Sequence, residues 1–334
     1  MRAAIIGPGA IGGFMAERLA RSGAKVSALA RGATLAALQT HGVRVRQGGV
    51  ERSAPIAASD NAADLGVQDY VIITLKAQAL PDLAPRLAPL IGPKTTVVTA
   101  MNGLPWWFFL HGASDLAGLR LKAVDPAGAI EAALPLAQVI GCVIHVSAAN
   151  PEPGVSDVVG ADRLTFGAPD GRAVPAAEAL AAALQGEGLK CPVVDDIRQH
   201  IWLKLWGNMC VNPIAALTGA GTGRIFADPY LFELCVAMMA EMRDLGAKLG
   251  LPIAMTPEAR MDVARRLGDF RPSTLQDMEA GRPLELDALL GVLIEVAEAA
   301  GQPVPMLKAV MGLVRQAGIS KGLYPPLTVA SKEH

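Results

Sequence analysis

Cysteine is scarce in this sequence, and its absence from short motifs excludes several classes of site. The 334 residues contain four cysteines, Cys142, Cys191, Cys210 and Cys235, and no two of them form a C-x-x-C pair. A chain of this length does not need a disulfide framework to fold. No cluster of Cys and His has the spacing of a zinc site. We therefore expect reduced thiols in the core and no structural metal.

An excess of one charge is also missing. Lys and Arg together number 30 against 31 Asp and Glu, and charged residues make up only 18% of the chain. Surfaces that bind nucleic acids or anionic membranes generally carry a basic excess, so we expect neither partner. Hydrophobic residues make up 51%, which is ample for a core. The length predicts about two domains.

Uninterrupted apolar runs long enough to cross a membrane are lacking as well. Three windows without charge (95–114, 132–151 and 205–223) are long enough, but Asn and Pro interrupt each of them. The apolar N-terminus up to Ala16 contains four glycines and a proline, and Glu17 and Arg18 follow it. This composition argues against a signal peptide. We expect a cytoplasmic protein.

What the sequence does contain is a regular alternation of short apolar strands and helices in its first 196 residues. We predict strands at 2–7, 25–30, 43–46, 50–52, 70–75, 95–99, 139–148, 155–159, 163–166 and 191–194. Helices are predicted at 10–21, from 34 onward, at 79–90 and at 173–188. From about residue 197 only long helical patterns remain, with helices predicted at 228–249, 256–267, 273–280, 286–300 and 305–316. We predict the α/β class, with a Rossmann-like dinucleotide-binding domain over 1–196 and an all-α substrate and catalytic domain over 197–334.

A glycine motif follows the first predicted strand. Residues 7–12 read Gly-Pro-Gly-Ala-Ile-Gly, which matches G-x-G-x-x-G. The first glycine permits a tight turn, the second lets the backbone approach a pyrophosphate, and the third lets the helix pack close to its strand. A tight turn without a ligand is the alternative, but the strand before and the helix after favour a dinucleotide. The predicted cofactor-binding residues here are Gly7, Gly9, Ala10, Ile11 and Gly12.

The residue after the second predicted strand favours one dinucleotide over the other. NAD sites usually place an acidic residue there to bind the ribose diol. This chain has Arg31 at that point, and no Asp or Glu occurs between Glu17 and Glu51. An arginine can pair with a 2′-phosphate through two hydrogen bonds. A solvated surface arginine is the alternative; we predict NADPH/NADP⁺ as the cofactor.

A polar stripe opens the predicted helical domain. Lys204, Asn208 and Asn212 are spaced i, i+4 and i+8, so a helix places them on one face. Asparagine is a poor helix former, and these two lie among apolar residues. Reduction of a ketone by hydride leaves negative charge on oxygen, which a partly desolvated lysine can neutralise as an acid. A stripe that merely faces solvent is the alternative.

With these motifs the chain resembles the ketopantoate reductase family over almost its whole length. The further marks of the resemblance are Leu75-Lys76-Ala77, Asn102-Gly103, the Pro-Ser-Thr-Leu-Gln-Asp segment at 272–277 and the Gly-Arg-Pro-Leu-Glu-Leu-Asp segment at 281–287. The resemblance implies NADPH-dependent reduction of 2-dehydropantoate (ketopantoate) to (R)-pantoate in pantothenate biosynthesis. It also implies a site that draws on both domains.

The resemblance further implies a role for each matching residue. Lys204 is expected to be the general acid, and Glu285 to hydrogen-bond it and tune or orient it. Ser273 is expected to bind the substrate carboxylate, and Asn208 and Asn212 its terminal hydroxyl.

Two further residues of the first domain belong to the same pattern. Lys76 and Asn102 are expected to line the cleft near the nicotinamide and its ribose. Simpler roles exist for several of these residues: a surface position for Lys76, a turn for Asn102, and a helix cap for Ser273 with Gln276 completing a capping box.

One segment departs from the family pattern. After Asn102-Gly103 the chain reads Leu-Pro-Trp-Trp-Phe-Phe over 104–109, which is bulkier and more aromatic than the family's usual loop. Such bulk beside the nicotinamide would favour a different 2-oxo acid or a β-hydroxyacid as substrate. A non-catalytic NADPH-binding regulator is the alternative of another class, but it would not need Lys204, Ser273 and Glu285 together. The Ala/Leu-rich helical half leaves a homodimer open.

Overall fold

The computed structural model describes residues 1–112, 114–266 and 268–326. These residues form two compact units. The first contains the described residues up to Ile201, apart from Ser114–Leu116, which belong to the second unit with the described residues from Trp202 onward.

One sheet forms the centre of the first unit. Its strands in the described residues are β1 (Arg2–Ile6), β2 (Lys25–Leu29), β3 (Val43–Gln47), β4 (Val50–Ala54), β5 (Ala57–Ser59), β6 (Tyr70–Ile73), β7 (Thr96–Thr99), β8 (Val139–Ala149) and β9 (Val155–Gly167). They lie in the order β4-β3-β9-β8-β7-β6-β1-β2-β5. The central strands consist of apolar, often β-branched side chains, because both of their faces are buried.

The middle of this sheet is parallel, which decides where its functional edge lies. Strands β5, β2, β1, β6, β7 and β8 all pair in parallel, while β8 and β9 form a long antiparallel hairpin. The chain runs from β1 to β2 on one side and later to β6 on the other. Ligands of such sheets bind outside the carboxyl ends of the strands, at the point where the strand order reverses. Here that point lies between β1 and β6.

The helices of the first unit are α1 (Ala10–Arg21), α2 (Gly32–His41), α3 (Leu80–Leu83), α4 (Ala129–Ala133) and α5 (Pro175–Leu184). The continuous helix predicted over 79–90 is wrong. Only four of its residues are α-helical, and the flanking segments 77–79 and 84–90 form 3₁₀ turns. Prolines at 81, 85 and 89 remove the N–H donors that a continuous α-helix needs.

Two further differences concern strands. The segments predicted separately at 155–159 and 163–166 are one strand, β9, which pairs with β8 through two register shifts. The strand predicted at 191–194 is reduced to isolated bridges at Lys190 and Val193. Strand β5 and helix α4 were not predicted, because both are too short to show a period.

From residue 197 the described chain is helical. The helices are α6 (Ile197–Thr218), α7 (Thr222–Ala227), α8 (Pro229–Lys248), α9 (Pro257–Arg266), α10 (Ser273–Glu279), α11 (Val292–Ala299) and α12 (Pro305–Ser320), and a π-helical turn at Asp287–Gly291 precedes α11. The predicted fold class is thereby confirmed. Position 267, where the prediction ends the helix that begins at 256, lies outside the described residues. Among the helices described, none has the length and apolar character to span a membrane.

Candidate functional site

The turn between β1 and α1 is held by contacts that only glycine permits. Gly7 has a φ of +85°, and a Cβ at this position would overlap the side chain of Leu75. The hydroxyl of Thr74 donates to the carbonyl oxygen of Gly7 at 2.7 Å and to that of Ile6 at 3.2 Å. Thr74, the residue that follows β6, therefore holds the turn in place.

The other two glycines of the motif have opposite surroundings. A Cβ at Gly12 would lie 2.5 Å from the carbonyl oxygen of Gly7, so this glycine is needed for the close approach of α1. A Cβ at Gly9 would meet no atom within 4 Å. The backbone at Gly9 is therefore open to a ligand, as a pyrophosphate-binding turn requires.

The open space beside Gly9 lies at the N-terminus of α1. Gly9 precedes the helix and provides no side-chain cap, and the first N–H groups of a helix have no acceptor within it. The buried Ser156 of β9 donates to the carbonyl oxygen of Ala10 and ties the first turn to the sheet. The N–H groups of Ala10, Ile11 and Gly12 thus have no acceptor within the helix and lie at the positive end of its dipole, an arrangement suited to an anion.

The other predicted cofactor residues follow neighbouring strands. Arg31 comes after β2, Lys76 after β6 and Asn102 after β7. These strands and β1 are parallel neighbours, so their carboxyl ends lie along one edge of the sheet. The structure brings these three residues and the glycine turn to that edge.

Each of the three presents a polar side chain there. Arg31 is exposed, and within the described part of the chain its guanidinium forms neither an ion pair nor a hydrogen bond. Lys76 and Asn102 are half-buried. Lys76 precedes a 3₁₀ turn, Ala77–Ala79, and Asn102 lies in a bend before Gly103. The residues present therefore fit a dinucleotide.

Helix α6, which belongs to the second unit from Trp202 onward, carries the predicted polar stripe. Lys204 and Asn208 are half-buried, and Asn212 is 7% exposed. The side chains of Asn208 and Asn212 make no hydrogen bond within the described residues. Helix α6 passes through Pro213 and continues to Thr218. An amide that is almost buried without a protein partner is costly unless a ligand or water completes its hydrogen bonds.

The last two predicted residues lie on other elements of the second unit. Ser273 is the first residue of α10 and is exposed; Pro272 occupies the cap position. The capping box considered for Ser273 does not form, because Gln276 instead donates its amide to the carbonyl oxygen of Arg271 at 2.8 Å. Glu285 is half-buried, and only Leu286 separates it from the π-helical segment.

A hydrogen bond between Tyr324 and Asp287 anchors that segment. The Tyr324 hydroxyl donates to Asp287 Oδ1 at 2.7 Å. Burial raises the pKa of the Asp287 carboxyl, and the donated hydrogen bond opposes this rise. Burial and the neighbouring Asp287 also raise the pKa of the Tyr324 phenol. Asp287 lies two residues beyond Glu285, so this pair holds the backbone that positions Glu285.

The aromatic segment is not an exposed loop. Trp107 and Phe108 are fully buried, and Trp106 and Phe109 are almost so. The Trp107 indole N–H donates to the hydroxyl of Thr99 in β7 at 3.2 Å. These side chains are core of the first unit, so their bulk gives no support to a larger substrate.

Three residues that hold the predicted sites were not found from the sequence. Thr74 and Ser156 fix the glycine turn, and Tyr324 fixes the segment after Glu285. Thr74 precedes the Leu-Lys-Ala motif and could have been suspected from that position. Ser156 and Tyr324 are distant in sequence from the residues they support, and no local pattern marks them.

Two models of one protein family match most of the chain. Residues 3–171 match the family model "Ketopantoate reductase PanE/ApbA", and residues 196–318 match "Ketopantoate reductase PanE/ApbA C terminal". The chain is 41% identical to a 2-dehydropantoate 2-reductase of Mesorhizobium japonicum over 325 residues, which are 97% of this chain and 100% of the relative.

Two solved structures share the fold of this chain. A crystal structure of a Ralstonia solanacearum MolK2 protein assigned as a ketopantoate reductase superposes with a TM-score of 0.92 at 45% identity, covering 97% of this chain and 99% of that one. The D-mandelate dehydrogenase structure with NADH and anilino(oxo)acetate shares the fold, with a TM-score of 0.83 at 19% identity and coverage of 97% and 100%. The chain therefore belongs to the ketopantoate reductase family, whose members are oxidoreductases that use a nicotinamide cofactor.

Proposed function

We propose that this protein catalyses the NADPH-dependent reduction of 2-dehydropantoate (ketopantoate) to (R)-pantoate, in pantothenate biosynthesis in the cytoplasm. The observation that carries the proposal is the stripe of Lys204, Asn208 and Asn212 on α6, in a chain whose first unit presents a dinucleotide-binding turn. The 41% identity to a 2-dehydropantoate 2-reductase supports the choice of substrate.

In this proposal residues 1–196 bind the cofactor. The N–H groups at the start of α1 bind its pyrophosphate, which Gly9 leaves room to approach. Arg31 binds the 2′-phosphate, since its guanidinium has no acidic partner in the described chain. Lys76 and Asn102 bind near the nicotinamide and its ribose. When bound, the reduced nicotinamide supplies a hydride to the carbonyl carbon of the substrate.

Residues 197–334 bind the substrate and supply the proton. Lys204 donates a proton from its ammonium to the carbonyl oxygen as negative charge develops there. Glu285 orients the lysine. Asn208 and Asn212 hydrogen-bond the terminal hydroxyl of the substrate without adding charge. Ser273 donates a hydrogen bond to the substrate carboxylate from the exposed start of α10.

The test follows NADPH oxidation by absorbance with ketopantoate as substrate. We expect turnover by the wild-type protein and a 10²- to 10⁴-fold lower kcat in Lys204→Ala, the range that general acid catalysis contributes. Lys94→Ala, which removes an exposed lysine from the first unit, should behave as wild type. Unchanged kcat in Lys204→Ala would exclude this lysine as the acid.

The choice of cofactor has its own arm of the same assay. Arg31→Ala should raise KM for NADPH by roughly 10- to 100-fold, since hydrogen bonds to charged groups contribute about 1.5–3 kcal/mol. KM for NADH should stay the same, because NADH has no 2′-phosphate. Equal effects on both cofactors would contradict the assignment of Arg31.

A further inference from the structure

The guanidinium of Arg260 lies against helix α6 at Gly207, a residue that has no side chain. A Cβ added to Gly207 of α6 would lie 3.0 Å from Nη2 of Arg260, 3.7 Å from its Cζ and 3.9 Å from its Nε. Arg260 belongs to α9, in the same unit. A glycine in a helix interior is less favourable for the helix than alanine. Here the edge of the guanidinium packs closely against the backbone of the glycine, at a distance where a Cβ would be slightly crowded.

Among the described residues this guanidinium has no anionic partner. Arg260 is half-buried, and in the described part of the chain its side chain forms neither an ion pair nor a hydrogen bond. Arg265, five residues further along α9, pairs with Asp262 at 3.1 Å, donates to the Phe226 carbonyl oxygen and lies over the Phe232 ring. A partly desolvated arginine without a counter-charge is suited to an external anion.

The position over Gly207 places this charge beside the proposed acid. Gly207 follows Lys204 by three residues, and residues at that spacing are neighbours on a helix surface, with Cβ atoms about 5–6 Å apart. A 2-oxo acid carries its carboxylate on the carbon next to the ketone. A group that binds the carboxylate must therefore lie close to the group that protonates the ketone oxygen, and Arg260 meets this condition.

We propose that Arg260 binds the carboxylate of the substrate through its guanidinium and thereby selects 2-oxo acids over neutral ketones. This inference rests on the proposed function and adds a charged partner to the neutral hydrogen bond assigned to Ser273. A planar guanidinium can bind both carboxylate oxygens at once, which fixes the carbonyl carbon in one orientation as well as neutralising the charge.

The experiment compares Arg260→Ala and Arg260→Lys with a matched control, Arg266→Ala, which removes an exposed arginine from the same helix. Steady-state kinetics are measured with ketopantoate and with its neutral 2-oxo amide. Arg260→Ala should lower kcat/KM for the acid by roughly 10- to 100-fold and for the amide less than about twofold. Arg260→Lys should recover part of the loss, and KM for NADPH should not change. Thermal unfolding of each variant reports its folding.

A calorimetric titration of (R)-pantoate into the NADP⁺-loaded protein separates this inference from the proposed function. Turnover by wild type together with wild-type kinetics and binding in Arg260→Ala would overturn the role of Arg260 alone. Absence of turnover in wild type, with pantoate binding that Arg260→Ala weakens, would overturn the proposed reaction and leave the anion site. Neither turnover nor binding in wild type would overturn both.

Discussion

The hydroxyl of Thr74 donates a hydrogen bond to the carbonyl oxygen of Gly7 at 2.7 Å, and so links the end of β6 to the turn that follows β1. The two strands flank the point at which the strand order reverses. The same hydroxyl occupies the space beside Gly12 that a Cβ would need. One threonine therefore fixes the shape of the turn and the distance of α1 from the sheet.

Two substitutions in this turn separate the glycine needed for ligand binding from the glycine needed for packing. Gly9→Ala should weaken NADPH binding by at least about tenfold and leave thermal stability unchanged, because its Cβ meets no protein atom but enters the space of the pyrophosphate. Gly12→Ala should lower both, because its Cβ overlaps Thr74 and lies 2.5 Å from the Gly7 carbonyl oxygen. The measurements are NADPH titration and thermal unfolding; equal loss of stability in both variants would contradict this division.

Asn212→Ala should affect the substrate more than the fold. The Asn212 amide has no hydrogen bond in the described chain to lose, so the free energy of unfolding should change by less than about 1 kcal/mol. KM for ketopantoate should rise about 3- to 10-fold, and KM for 3,3-dimethyl-2-oxobutanoate, which lacks the hydroxyl, should not.

Asn150→Ala provides the opposite case as a control. Its side-chain amide donates to the Val155 carbonyl oxygen at 2.7 Å in the β8–β9 hairpin. This variant should lose stability by about 1 kcal/mol and keep the wild-type KM. A loss of hydroxyl discrimination in Asn150→Ala, or none in Asn212→Ala, would refute the role of Asn212.

The pair of Asp287 and Tyr324 makes stability depend on pH. Burial raises the pKa of Asp287, so its protonated form favours the folded state; this contribution is present below the ordinary aspartate pKa of 3.8 and is lost as the pH rises through the raised value. Tyr324→Phe should therefore destabilise the protein by about 1–3 kcal/mol at pH 8, where the carboxylate loses a donor, and by less at pH 4. Denaturant unfolding at both pH values measures this. In the Asp287→Asn background the amide oxygen still accepts the hydrogen bond but does not titrate, so the pH dependence of the Tyr324→Phe effect should vanish. An effect independent of pH in the wild-type background would argue against a charged acceptor.

Trp107→Phe tests whether the aromatic segment selects the substrate. Removing the indole, and its hydrogen bond to Thr99, should destabilise the protein by about 1–3 kcal/mol. The ratio of kcat/KM for ketopantoate to that for a bulkier 2-oxo acid should not change, because Trp107 is fully buried in the core. Thr99→Val, which removes the acceptor, should also destabilise the protein. A change in the ratio of kcat/KM in either variant would support the alternative that the substrate is a bulkier 2-oxo acid.

Much of the fold follows from local patterns. Helix α1 begins and ends where the sequence predicts, because Gly9 directly precedes it and Gly23 lies just beyond its C-terminal end. The prediction of a continuous helix over 79–90 was wrong because the apolar spacing was given more weight than the three prolines. Strand β9 was divided in two because its solvent-facing middle lacks the apolar alternation that marks a strand.

The sequence by itself determined the class of fold, the glycine turn and the polar stripe on α6, since each depends on the period of a single strand or helix. Only the tertiary structure decided which distant side chains support them. Ser156 reaches Ala10, Tyr324 reaches Asp287 and Arg260 lies over Gly207 because separate elements pack together. The burial of Trp107 was decided in the same way. A local pattern shows the period of one helix or strand, but it does not show which other element packs against that helix or strand.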